Sequence, residues 1–314
     1  MKRQPTTFYR YRTFSTNTLE ILCDDTAFFA HPRTFNDPMD CNPTLRCDSS
    51  LDELRQLLAV LIRRRVDAEV TASLGKARVS GDKAARYSAK QAKVEASRVL
   101  SYLAYMATDP DNSVGPAEAE AWNLTSDIEK ELQRHYERGV ICFSTSYSNP
   151  LLWSHYGDQH KGLCIGYKLD RDPPPTPQRV LYGGDRHIST SSLFLAFVAG
   201  DETEAKALDR DVLLRKAKCW SYEREWRLVG PQGLQASPML MSEVIFGLRC
   251  PLSVMHAVVK ALELRSSPVR FFAIHEVRGK FALRKRNLDV HEIGSYLPHT
   301  AESVNEFFPA SDSH

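Results

Sequence analysis

Val140-Ile141-Cys142-Phe143-Ser144-Thr145-Ser146-Tyr147-Ser148-Asn149-Pro150 places a strand, a hydroxyl-rich turn and a helix start in direct succession. The unbroken apolar run from Val140 to Phe143 reads as a buried strand that ends at Ser144. Asn149 has the side-chain oxygen of a helix cap, and Pro150 has the fixed φ and missing N–H that suit the first helical position. The spacing therefore predicts a short helix over Asn149 to His160, followed by a second apolar strand from Leu163 to Tyr167. This strand, Ser-Thr-Ser, helix, strand order is the local frame around which the rest of the chain is read.

Toward the N-terminus, Phe8 to Arg12 alternates aromatic and basic residues with the period of a strand. Tyr9 and Tyr11 share one face and Arg10 and Arg12 the other, so both arginines can enter one cleft. A helix is expected over Thr18 to Cys23 and a strand over Thr26 to Ala30. Phe35-Asn36-Asp37-Pro38-Met39-Asp40 reads as a rigid loop, because Pro38 disfavours the helical region for Asp37. From about residue 50 to 138 the pattern is helical only. It opens on a capping box, Ser50 with Glu53, and a stripe of Leu51, Leu54, Leu57, Leu58 and Leu61. A second helix carries Ala85, Ala89, Ala92, Ala96, Val99, Leu103 and Met106 on one seam, and a third runs through Leu124, Ile128 and Leu132 to a stop at Gly139. This segment is an inserted helical bundle that either packs on the core or offers a place for a partner protein.

Beyond the second strand, Pro173-Pro174-Pro175-Thr176-Pro177 forms a stiff connection. Strands are expected at Val180 to Tyr182, Glu223 to Val229, Glu243 to Phe246, Val269 to Val277 and Phe281 to Lys285, with helices over residues 190 to 217 and Leu252 to Leu262. Strands at both ends around a helical middle define an α+β fold. The reading is a single domain over 1–314, with a core of 8–48 and 139–290, an insertion of about 50–138, and a flexible tail over 298–314.

The chain of 314 residues carries 41 basic and 39 acidic residues, a formal charge of +2, so no overall field selects a nucleic-acid or membrane partner, although local patches remain open. Seven scattered cysteines without a C-x-x-C pair argue against a disulfide framework and for a reducing cytoplasm. No secretory signal opens the chain, and no apolar run is long enough to span a membrane.

Three boxes carry chemistry. Glu223 and Glu225, on one face of their expected strand, suit a reaction that builds an oxocarbenium-like centre: Glu225 stabilises the developing charge, and Glu223 orients or deprotonates an acceptor. Arg227 continues that row, and Trp220 and Trp226 frame it. Arg12 or Arg10 can clamp a phosphate through two parallel bonds. Ser144, Thr145 and Ser146 supply hydroxyls that orient a glutamate and line a slot. The loop adds Asn36 and Asp37 to the binding set, and His155 or Tyr156 can stack on a flat ring. His155, His160 and Cys164 fall short of a zinc site for want of a further ligand at suitable spacing, so no metal is expected there.

Tyr9-x-Tyr11-Arg12, Phe35-Asn36-Asp37-Pro38, Trp153-Ser154-His155-Tyr156 through Gly162, and Tyr222-Glu223-x-Glu225-x-Arg227 together resemble a bacterial domain-of-unknown-function family over residues 8 to 285. More distantly, the arginine, the Ser-Thr-Ser and the Glu-x-Glu, in that order, resemble bacterial ADP-ribosylating toxins. That second resemblance implies a split β-sheet core and NAD as substrate, with ADP-ribose passed to a protein or nucleic acid or NAD hydrolysed, and it suits a toxin or phage-defence setting. Two other functions compete: a magnesium-dependent nuclease using Asp37, Asp40, Glu223 and Glu225, and a non-catalytic interaction module.

Overall fold

In the computed structural model, which describes residues 5–136 and 138–298, the aromatic-basic repeat forms β1 (Phe8–Arg12). Tyr9 and Tyr11 pack with Trp153, Cys164 and Ile245, whereas Phe8 joins a second cluster on the opposite face. α1 (Thr16–Cys23) is capped by Ser15, whose hydroxyl accepts from the Thr18 N–H at 3.2 Å. β2 (Thr26–Phe29) and β3 (Thr44–Arg46) belong to separate two-stranded ladders.

The insertion consists of α2 (Leu51–Lys76), α3 (Asp82–Met106) and α4 (Pro116–His135). The reciprocal capping box of Ser50 and Glu53 starts it. Leu54, Leu57, Leu58 and Leu61 share a buried cluster with Leu124, Ile128 and Leu132, and with Leu193 and Val212 from much later in the chain. The bundle is thus sewn into the core. Gly139 does not stop α4, which ends at His135. It opens β4 (Gly139–Ser144), where a side chain would collide with Phe29 and the backbone of Gln232.

α5 (Pro150–His155) starts on Asn149, whose Oδ1 accepts from the Leu151 N–H at 2.9 Å. It is shorter than the expected Asn149 to His160 because Asp158, Gln159 and His160 take successive left-handed conformations, with φ of 50°, 52° and 69°. That turn delivers Gly162 against β1, and a Cβ there would overlap the carbonyl oxygen of Arg12. β5 (Leu163–Lys168), β6 (Gln178–Arg179), β7 (Leu181–Tyr182) and β8 (His187–Ser189) follow. α6 (Thr190–Phe194), a π-helical turn and α7 (Glu202–Leu213) fill the expected helical stretch only to Leu213, after which Arg215–Lys216 form β9. A 3-10 helix at Lys218–Glu223 leads to β10 (Glu225–Gly230), β11 (Gly233–Ala236) and β12 (Leu240–Phe246). The described chain closes with α8 (Leu252–Leu262), β13 (Arg270–Glu276), β14 (Leu283–Asn287) and α9 (Val290–Tyr296). Apart from Pro298, the expected tail lies outside the described residues.

The fold is α+β. Eight strands form one mixed sheet in the order β14-β13-β12-β5-β1-β4-β10-β6, antiparallel except between β12 and β13. β1 matches β5 over five pairs, from Phe8↔Tyr167 to Arg12↔Leu163, but meets β4 at the single pair Tyr9↔Ser144. Past that pair the two strands part, and the sheet divides into two wings. β4 and β10 remain matched from Glu225↔Ser144 to Gly230↔Gly139, so Tyr9, Ser144 and Glu225 stand in one row across the seam. No helix among the described residues is long and apolar enough to cross a membrane.

Candidate functional site

A cleft of about 570 Å³ occupies the opening between β1 and β4. Arg10 and Arg12 line it, as do Ser15, Asn17 and Thr18 at the start of α1, and so do Ser144, Tyr156, Lys216, Glu223 and Glu225. Strand alternation puts Arg10 and Arg12 on the Phe8 face, whereas Ser144 and Glu225 belong to the Tyr9 face. They share one cleft because it passes through the seam instead of lying on either face.

Neither arginine has a carboxylate partner among the described residues. One guanidinium nitrogen of Arg10 donates to the Phe28 carbonyl at 3.4 Å, a long bond, and the buried Nε of Arg12 has no partner. Burial, and after it the charge of Arg12, lowers the Arg10 guanidinium to about 10, and burial lowers Arg12 as well. Two adjacent cations that lack counter-charges favour an anion between them.

The carboxylates have the opposite surroundings. Lys216 Nζ lies 2.6 Å from Glu223 Oε2, 3.0 Å from Glu225 Oε2 and 3.3 Å from Asp40 Oδ2. Arg227, fully buried, donates from Nε to Glu225 Oε1 at 2.7 Å, from Nη2 to both Asp40 oxygens at 2.7 and 2.9 Å, and from Nη1 to the Leu213 carbonyl at 2.7 Å. Burial would raise Glu225, but Arg227 and then Lys216 override it and hold this carboxyl down at about 2. For Glu223 burial wins over the opposing charge of Lys216, and its carboxyl is raised. The Tyr156 hydroxyl donates to Glu223 Oε1 at 2.8 Å; burial first, then that carboxylate, pushes the phenol up. Two neighbouring carboxyls are thereby driven apart, the usual preparation of one for acid–base work and the other for permanent charge.

Backbone geometry brings the two carboxylates together. Glu223 ends the 3-10 helix and is not on the strand as expected; Arg224 adopts the left-handed conformation (φ 49°, ψ 49°), and β10 begins only at Glu225. The kink lets both carboxylates reach Lys216. Ser144 Oγ donates to the Glu223 carbonyl at 2.6 Å and accepts from the Ser146 N–H at 3.0 Å. Asn149 Nδ2 donates to the Tyr222 carbonyl at 3.0 Å, and the Tyr11 hydroxyl to the Ser146 carbonyl at 2.8 Å. The three sequence boxes therefore brace each other.

Most of the other expected site residues lie elsewhere. Arg227 is no ligand arginine, since its donors are taken by Asp40, Glu225 and Leu213 in the core. Thr145 and Ser146 do not line the cleft, and Ser146 contributes backbone contacts to the turn. Asn36 lines the cleft and donates to the Tyr156 hydroxyl at 3.2 Å. Asp37 is turned away, accepting from Trp220 Nε1 at 2.8 Å and the Met39 N–H at 2.9 Å. His155 is exposed outside the cleft and meets Trp220 edge-on. His160 stacks on Trp153, Cys164 is buried, and no metal-binding group of His, Cys, Asp and Glu occurs among the described residues. Lys216 and Asp40 are central, yet Lys216 lies in a stretch whose pattern predicts helix, and nothing local marks a single lysine as buried.

No curated protein and no solved structure matches the chain. Residues 152–228 match the model of a family described as a protein of unknown function, DUF2971. The matched segment carries Tyr156, Lys216, Glu223, Glu225 and Arg227, the carboxylate half of the cleft, and stops short of the arginines of β1.

Proposed function

We propose that the cleft binds NAD and breaks its nicotinamide–ribose bond, passing ADP-ribose to a macromolecule, or to water when hydrolysis prevails. One observation carries this reading: two arginines without counter-charges, the phosphate end, share a through-sheet cleft with an ionised Glu225 and a raised Glu223, the ribose end. The seam between β1 and β4 also supports the likeness to a split-sheet transferase core.

In this mechanism Arg10 and Arg12 hold the pyrophosphate. Glu225, kept anionic by Arg227 and Lys216, stabilises positive charge as the ribose C1′–N bond breaks and its electron pair passes to the nicotinamide nitrogen. An acceptor or water oxygen then bonds to C1′, and its proton passes to Glu223, whose raised carboxyl makes it a stronger base than an ordinary carboxylate. Tyr156 steadies Glu223, and Ser144 fixes its backbone. A toxin or defence effector would use such chemistry against its targets.

Purified protein is expected to release nicotinamide from NAD and to transfer label from radiolabelled NAD in a lysate. Glu223→Gln is expected to lower the rate by about 100-fold or more, and Arg12→Ala to weaken NAD binding. Absence of both release and transfer by the folded protein refutes the reading. Lys216 beside Asp40, Glu223 and Glu225 favours one rival, a magnesium nuclease, though Lys216 and Arg227 already contact these carboxylates and Asp37 has left the set. Cleavage of nucleic acid that strictly requires magnesium, with NAD left intact, selects that rival.

A further inference from the structure

The balanced total charge conceals a strongly basic arm. Lys76 to Lys93 holds six basic residues, Lys76, Arg78, Lys83, Arg86, Lys90 and Lys93, against Asp82 alone, a net +5 in a chain of +2. None of the six forms an ion pair among the described residues. The stretch is bounded by basic residues that do: Arg65 pairs with Glu69 and Glu131, and Arg98 with Glu95.

The same stretch projects from the molecule. The buried residues of α2 end at Val66, and those of α3 begin at Ser88. The last turns of α2 therefore reach about 15 Å beyond the shared core, at 1.5 Å per residue. The tip turns through Arg78 (φ 57°) and Gly81 (φ 95°), and the base is tied by Ser88 Oγ donating to Asp67 Oδ1 at 2.6 Å. Along α3, Lys83, Arg86, Lys90 and Lys93 recur at steps of three and four, so they share a face, with exposed Tyr87 and Val94 beside it.

The arm's chemistry selects among anionic partners. Firm seating at a lipid surface adds a broad apolar helix face to its cations, and tight docking on an acidic protein adds a buried anchor at the centre of the interface. The large exposed apolar residues of the arm are Val79, Tyr87 and Val94, too few and too scattered for either. A polyphosphate backbone is bound by unpaired cations without an apolar core, and a single helix fits the major groove of a duplex. A second basic stretch, Arg278 to Arg286, differs in kind. Its Lys285 is spent on Glu243, and Arg284 and Arg286 lie on the edge strand β14, where charge discourages edge pairing.

We propose that the α2–α3 arm is a nucleic-acid-binding site, with Lys83, Arg86, Lys90 and Lys93 on the phosphate backbone. The inference does not rest on NAD chemistry, and its test needs no NAD. Fluorescence anisotropy of the full chain with a labelled DNA duplex, and with single-stranded RNA of equal length, reads binding between about 50 and 200 mM salt. For four backbone contacts, the logarithm of affinity is expected to fall against the logarithm of salt with a slope of about −3 to −4. Replacing all four residues by Gln should weaken binding by about 100-fold or more at low salt and flatten that slope. Single changes, K83Q or K90Q, should each weaken it by about 3-fold, while Arg284→Gln with Arg286→Gln should leave it unchanged. Circular dichroism should be unaltered, since these side chains are exposed and unpaired. The proposal is overturned if neither nucleic acid binds, if the four-residue variant binds like the parent, or if phosphatidylserine vesicles or polyglutamate bind the arm as well as nucleic acid does.

Discussion

Replacing Glu225 by Gln tests the buried ion network directly, because the side-chain volume is kept and only the charge is lost. Glu225 is 3% exposed, so solvent screening removes little of its interaction with Arg227 and Lys216. The fall of its carboxyl from 4.5 to about 2 corresponds to about 3 kcal/mol at 1.36 kcal/mol per tenfold change. Unfolding entropy of about 2.1 cal/mol/K per residue converts this to a Tm loss of about 5 °C for a chain of this length. The sign is set by the lowered carboxyl: the stabilisation is complete above the unfolded value near 4.5 and disappears as pH falls through about 2. Thermal unfolding of parent and Glu225→Gln by circular dichroism should thus differ by about 5 °C at pH 7 and converge as pH drops from about 4.5 to 2. Acidic groups remote from the network titrate alike in both proteins and cancel in the difference, whereas Glu223, raised by burial and in part by the charge of Glu225, is lowered in the variant. A gap that is absent at neutral pH, or that persists undiminished at pH 2, refutes the network as the source of the lowered carboxyl. Activity of this variant must be read well below its Tm, so that lost charge is not confused with lost structure.

Three further outcomes follow from the site and its frame. Burial and the charge of Arg12 lower the Arg10 guanidinium toward about 10, so affinity for ADP, followed by calorimetry, should weaken as pH rises toward that value, and Arg10→Ala should flatten the profile. Ser144→Ala leaves the Glu223 carbonyl without its donor in a buried site, a cost of about 1–3 kcal/mol in thermal unfolding; nicotinamide release should lose kcat with little change in KM. Gly162→Ala drives a methyl group into the Arg12 carbonyl, and chemical denaturation should show a loss of about 3 kcal/mol with reduced NAD affinity.

Much of the architecture could be read from local pattern, and the exceptions have local causes. The capping box at Ser50 and Glu53, the Asn149-Pro150 helix start and the apolar run of β4 are decided by near neighbours, and each appears where its residues place it. The Tyr9 and Tyr11 alternation likewise predicts one packed face. Local alternation predicts strand at Glu223, but the left-handed turn at Arg224 is held by contacts from Ser144 and Asn149, distant in sequence. Arg227 has the letter of a ligand arginine and the correct strand parity, yet its role depends on Asp40 and Leu213, which only the tertiary fold brings near. The pattern extends helix through Lys216 and up to a stop at Gly139, whereas long-range packing ends those helices earlier, at Leu213 and His135. The hydroxyl and carboxylate boxes were visible as residue types. Which members face the cleft and which brace it was not, because burial of a charge depends on partners that no local spacing specifies.

The lone Tyr9↔Ser144 pair makes the two wings resemble boards held by one nail. Aperture is then governed by side-chain contacts and not by a ladder of amides, so the wings can spread without unstitching either one. A guest gripping Arg12 on one board and Glu225 on the other would act as the second fastening. Occupancy and stiffness would rise together, and amide exchange along Arg10 to Arg12 would slow most.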